Sequence, residues 1–108
     1  MRNNRAAGIR FEQEMSLWLR SVGFKSCETS RYASKKRDDE KVDFCDTEPF
    51  NFQAKYTQNI NMHTELEKMP DDSNYNVVLH KRKRRGAVVC MTLEDFEEII
   101  KMLKREVL

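Results

Sequence analysis

Residues 42–57 read VDFCDTEPFNFQAKYT, and the reading of this stretch decides the fold. Val42 to Cys45 is a short apolar run that carries Asp43, Asp46 to Pro49 is a turn, and Phe50 to Thr57 is rich in β-forming residues. Side chains two apart on a strand share a face, so Gln53 and Lys55 project together. A hairpin-like return lays Asp43 alongside them.

Outward from this centre the chain alternates helical and extended signals. On the N-terminal side, residues 5–21 predict a helix. Phe11, Met15, Trp18 and Val22 follow i, i+4, i+7, i+11 spacing, widened by Leu19, with Glu12 at the border of the stripe and turned partly inward. Gly23 ends that helix, and residues 24–29 predict a first strand. Residues 30–41, SRYASKKRDDEK, have no apolar period and read as a mobile loop over the site.

Beyond Thr57, helical residues occupy about 62–69, stopped by Pro70 and the turn cluster 71–74. YNVVLH (75–80) and AVVCM (87–91) read as strands joined through the Lys/Arg run and Gly86 as a hairpin. Thr92 is an N-cap with Asp95 three residues on, and Phe96, Ile99, Ile100, Leu103 and Val107 form one apolar face of a last helix. The order is helix, three strands, helix, two strands, helix (αβββαββα). The expectation is an α/β (α+β) protein with a mixed sheet covered by helices.

The totals bound the answer. A chain of 108 residues, 39% apolar and 35% charged, supports a single domain (1–108) with a modest core. No run is long enough to cross a bilayer, and the N-terminus lacks a signal peptide's apolar centre, so a cytoplasmic protein without membrane contact is expected. Cys27, Cys45 and Cys90 are odd in number, widely spaced and free of a CxxC, and read as reduced thiols. His63 and His80 have no ligand-spaced partners, which argues against structural zinc.

Net charge is only +2, but it is unevenly placed. Residues 1–37 hold nine Lys/Arg against three Asp/Glu, residues 38–76 three against ten, and residues 77–108 eight against five. Two basic zones flank an acidic middle that contains Asp43. That distribution suits a surface that attracts phosphate around a cation pocket, and it also suits charges spread for solubility.

The chemistry of residues 42–57 fits the first of these. Metal-assisted cleavage of a phosphodiester needs an activated water, charge neutralisation at the phosphoryl oxygens and help for the leaving oxygen. Hard cations serve these needs and take oxygen ligands. Asp43 is the expected central ligand, with the side-chain oxygen of Gln53, the backbone carbonyl of Ala54 and the Glu12 carboxylate as further oxygens. Lys55 would orient the water or stabilise phosphate charge. Taken alone, an Asp and a Lys on adjoining strands are also an ordinary ion pair.

The arrangement resembles the PD-(D/E)XK nuclease superfamily, and more closely its small Holliday junction resolvases of archaeal and phage type. The matching pieces are GIRFEQEMSLWLRSVGF with Glu12, TSRYAS with Arg31 and Ser34, VDF with Asp43, and FNFQAKY with Gln53 and Lys55. The resemblance implies a restriction-endonuclease-like fold. It also implies catalytic positions at Glu12, Asp43, Gln53 and Lys55, a supporting Ser34, and a phosphate contact at Arg31. A Mg²⁺ ion, with Mn²⁺ as substitute, and a homodimer nicking both strands of a four-way DNA junction follow from the same likeness, and a compact chain of this kind suits a bacteriophage. Gln53 departs from the usual acid of the (D/E)XK pair: it offers an oxygen but no charge, so metal should be held more weakly. A non-catalytic DNA-binding module on the same fold, and a nuclease acting on other branched or duplex DNA, are the alternatives.

Lys81, Arg82, Lys83, Arg84 and Arg85 put five consecutive cations at a hairpin tip, read as phosphate contacts, although such runs also serve as localisation signals or solvated turns. Lys35, Lys36 and Arg37 take the same reading, Arg5 on a floppy N-terminus reaches for a DNA arm, and Tyr32 is a candidate for base stacking. Trp18 reads as packing.

Overall fold

The computed structural model describes residues 4–107, with the side chains of Asn4, Tyr32, Ala33, Glu106 and Val107 outside the description. The described residues form five helices and five strands. They are α1 (Asn4–Ser21), β1 (Glu28–Thr29), α2 (Ser30–Ala33), α3 (Lys35–Asp39), β2 (Phe44–Cys45), β3 (Phe50–Tyr56), α4 (Met62–Glu67), β4 (Tyr75–Lys81), β5 (Val88–Cys90) and α5 (Leu93–Val107). The result is a mixed α/β fold with a three-stranded and a two-stranded sheet flanked by helices.

β3 and β4 run parallel, Phe50 opposite Tyr75 through to Tyr56 opposite Lys81, and α4 makes the crossover between them. Parallel neighbours require such a connection, whereas β4 and β5 are antiparallel and need only the hairpin turn. β1 and β2 pair antiparallel as the smaller sheet. A hydrogen bond from the Asp43 N–H to the Phe52 carbonyl (2.9 Å) fastens the lead-in of β2 to the outer edge of β3.

Strand alternation sorts the side chains. Phe52, Val77 and Leu79 face one way and pack with Leu19, Cys27 and Phe44, joined by Met15, Phe24, Phe50, Ala54 and Met91 at the margin. Phe24 makes edge contacts with Phe50 and Phe52. The opposite face carries Asn51, Gln53 and Lys55, with Asn76, Val78 and His80 beside them. One face is therefore the core and the other holds the polar residues.

The end of α1 explains its direction. The Phe24 N–H bonds the Leu19 carbonyl and the Gly23 N–H the Arg20 carbonyl, a Schellman closure with Gly23 at φ 132°. The inward line of the helix is Phe11, the half-buried Met15 and Leu19 at four-residue steps, with buried Ser16 beside it. Trp18 is 43% and Val22 55% exposed, so these two expected core residues lie outside the buried stripe. Arg5 sits in the first helical turns of α1 and not on a floppy arm.

Three further expectations change. The first strand is only Glu28–Thr29, because residues 24–27 are spent closing α1. The expected mobile loop at 30–41 is folded into α2 and α3. Ser34 caps α3 by accepting from the Arg37 N–H, the Ser30 N–H bonds the Asp43 carbonyl (2.7 Å), and the Val42 N–H bonds the Arg37 carbonyl (2.9 Å). Finally, α5 is capped as expected, Thr92 Oγ1 accepting from the Asp95 N–H, yet its apolar face does not cover the sheet: Leu93 is 81% and Leu103 58% exposed. Among the described residues no helix is long and apolar enough to cross a membrane.

Candidate active site at the edge of strand β3

Asp43 is held by the backbone it faces. Val42 and Phe44 on either side are fully buried, so Asp43 turns to the opposite side from the core. Its Oδ2 accepts the Ala54 N–H at 2.7 Å while its own N–H reaches Phe52. The backbone groups of a strand alternate in direction, so the Ala54 carbonyl leaves β3 on the same edge as the N–H that Asp43 occupies.

Burial pushes the Asp43 carboxyl up to about 6, further raised by the negative charges of Glu12 and Asp38 and opposed by the Ala54 hydrogen bond and the positive charge of Lys55. Glu12 and Lys55 are therefore both close enough to be felt by Asp43. Asp43, Gln53 and Lys55 come from the polar side of the sheet, and Glu12 comes from the helix packed on the core side.

Gln53 is 3% exposed, and its Oε1 is buried with no hydrogen-bond partner among the described residues. A buried acceptor left without a donor costs on the order of 1–3 kcal/mol, so such atoms call for an explanation. This one lies in the residue next to the amide that holds Asp43.

The other expected residues are engaged. Arg31 Nη2 lies 2.9 Å from Glu12 Oε2, with the glutamate side chain 14% exposed. Lys55 Nζ lies 3.3 Å from Glu65 Oε1, and Glu65 also meets Lys68 at 3.5 Å. Ser34 is spent as the α3 cap, and the Arg37 guanidinium donates to Asn51 Oδ1 at 2.7 Å. Lys35 pairs with Asp39 on the exposed side of α3, beside the exposed Lys36. Arg82, Lys83, Arg84 and Arg85 are all exposed at the β4–β5 turn, with Lys81 ending β4. The side chain of Tyr32 lies outside the described residues.

Two groups had no sequence signal. Glu65 enters because the parallel crossover lays α4 over the polar face, where Asn61 caps it by accepting from the Thr64 N–H. Asn51 centres a network with Arg37, Asp72, Asn74 and Asn76, which ties α3 and the 70–74 turn to the start of β3.

Do these donors suit a hard cation? Among the described residues no three His, Cys, Asp or Glu side chains gather as a ready ligand group. The available set is two carboxylates and neutral oxygens: Asp43 Oδ1, Glu12, the orphaned Gln53 Oε1 and the Ala54 carbonyl. All are hard oxygens, which is the donor type Mg²⁺ and Mn²⁺ accept, and the charge count is low. The residues fit a weakly held, water-rich ion.

No known protein family, curated protein or solved structure matches this chain.

Proposed function

We propose that the protein is a metal-dependent, structure-selective DNA endonuclease that acts on four-way junctions. The observation that carries this reading is the buried Oε1 of Gln53, without a hydrogen-bond partner among the described residues, one residue before the Ala54 N–H that holds Asp43, a carboxyl that feels the charges of Glu12, Lys55 and Asp38. A desolvated carboxyl and a buried acceptor in need of a partner would each gain from a bound cation.

Asp43, Glu12, Gln53 and the Ala54 carbonyl would hold a divalent ion, which when bound supplies Lewis-acid activation of water and charge neutralisation at phosphate. Asp43 would hold the ion as carboxylate and not carboxylic acid, so ion binding would strengthen as pH rises through about 6. Ala54 fixes the orientation of Asp43 throughout. Lys55 presents its ammonium toward the same patch, exchanging Glu65 for the phosphate or the attacking water. Arg31 exchanges Glu12 for a phosphate oxygen, which frees the carboxylate as substrate arrives. The exposed cations Arg82 to Arg85 and Lys36 supply sequence-independent attraction to the DNA backbone.

Comparing binding with cutting tests these roles. Asp43→Ala and Lys55→Ala should each retain junction binding and lose nicking in Mg²⁺. Retained nicking in both variants would remove these residues from the chemistry.

A second reading has its own support. Glu12 and Lys55 are both ion-paired in the protein, and among the described residues no triad of acids is assembled. A DNA-binding module without catalysis would show salt-sensitive junction binding that is indifferent to Mg²⁺ and to Asp43→Ala.

A further inference from the structure

We propose that α5 is a self-association element that pairs antiparallel with α5 of a second copy of this chain. The nuclease reading expects a homodimer without saying which surface forms it; α5 and its surroundings supply that surface, so a dimer that survives loss of the α5 seam overturns the pairing and leaves the nuclease reading standing.

Leu93, Phe96, Ile100 and Leu103 recur at steps of three, four and three, the spacing of a two-helix seam. In an ordinary globular protein such a stripe is turned to the core. In α5, Leu93, Phe96, Ile100 and Leu103 are 81, 48, 42 and 58% exposed, and the molecule extends to 53 Å along one axis against 28 and 26 Å on the others. Val88 and Val89, on the edge strand from which α5 departs, are exposed as well. An apolar stripe this continuous marks a contact surface.

Charge identifies the occupant. The first half of α5 carries Glu94, Asp95, Glu97 and Glu98 and no base, while Lys101, Lys104 and Arg105 outnumber the single acid Glu106 in the second half. This order suits the helix's own dipole. It also makes the helix complementary to itself when reversed: antiparallel pairing lays the acidic half of one copy along the basic half of the other, twice, about a two-fold axis. Parallel pairing would set like against like. A two-fold interface uses the same patch on both copies, which is the condition α5 meets.

The size of the contact sets its strength. Fifteen residues make a helix of about 22 Å, and two such helices side by side bury less than the roughly 1,200 Å² at which stable interfaces begin. The expected dimer is reversible, with dissociation in the micromolar range.

Sedimentation equilibrium of the full chain across micromolar concentrations tests this. Wild type should show monomer and dimer in exchange, and Leu103→Asp should weaken dimerisation about tenfold or more. An all-basic variant (Glu94→Lys, Glu97→Lys, Glu98→Lys) and an all-acidic variant (Lys101→Glu, Lys104→Glu, Arg105→Glu) should each be monomeric alone and form a dimer when mixed. A wild-type chain that stays monomeric at every concentration overturns the inference. So does a dimer that survives Leu103→Asp, or a mixture of the two charge variants that fails to associate.

Discussion

Arg31 grips Glu12, Nη2 to Oε2 at 2.9 Å, joining the residue expected to touch phosphate to the residue expected to touch the cation. Removing the arginine should act on both. Arg31→Ala leaves a largely buried carboxylate without its cation, so stability should fall by roughly 1 kcal/mol. Mg²⁺ should recover part of that loss by occupying Glu12, and junction affinity should drop at low salt. Melting curves with and without Mg²⁺, beside a binding isotherm, check all three. A variant whose stability does not respond to Mg²⁺ would separate Glu12 from the metal.

Asp43 predicts an unusual pH dependence. Its folded-state carboxyl is pushed up to about 6 from an ordinary value of 3.8. Below pH ~4 it is protonated in both folded and unfolded chains and costs nothing. As pH rises through about 6, the folded protein must carry a desolvated charge that the unfolded chain carries freely, so this group's contribution to stability is lost. Asp43→Asn keeps an acceptor for the Ala54 N–H and removes the charge. The variant should be more stable than wild type at pH ~7.5, on the order of 1–3 kcal/mol, and the difference should vanish near pH ~4. Equal stability differences at both pH values would contradict the environment described for Asp43.

Gln53→Glu probes the orphaned oxygen. A second carboxylate in that buried position lacks a donor, so the metal-free protein should lose stability, on the order of 1–3 kcal/mol. The extra charge should tighten Mg²⁺ binding and keep or raise nicking. Titration calorimetry with Mg²⁺ and a thermal melt give the two readings. Weaker Mg²⁺ binding by the variant would mean that the amide oxygen does not face the ion.

The β4–β5 turn predicts a salt effect without an effect on chemistry. Arg82, Lys83 and Arg84 are exposed and lie in the turn that joins β4 to β5. Replacing all three with Ser should lower the slope of log affinity against log salt by up to about 3. Nicking at saturating protein should be unchanged. An unaltered slope would place the DNA elsewhere.

What the sequence disclosed follows from the kind of signal each element carries. α5 was legible because its apolar period and its Thr92 cap agree, and the strands β3 and β4 because two β-rich runs flank the α4 segment; their parallel pairing appears only in the structure. The destination of the α5 stripe was not legible, since periodicity reports that a face is apolar and not what it meets. Helices of four and five residues at 30–39 have no period to read, and the Ser34 cap that starts the second of them shows only in the structure, through the Arg37 N–H. Asp43, Gln53 and Lys55 could be grouped by strand alternation. Glu65 and the Asn51 network could not, because the crossover that brings them in depends on the handedness of the whole fold.

Incubating the purified protein with an end-labelled four-way DNA junction, with and without Mg²⁺ or Mn²⁺, tests the assignment most directly. A junction-selective, metal-dependent nuclease centred on Asp43 predicts paired nicks near the branch point that require the ion. Their rate should rise as pH passes from ~5 to ~7.5 with the ionisation of Asp43. A junction left intact with either ion across that range would contradict the assignment.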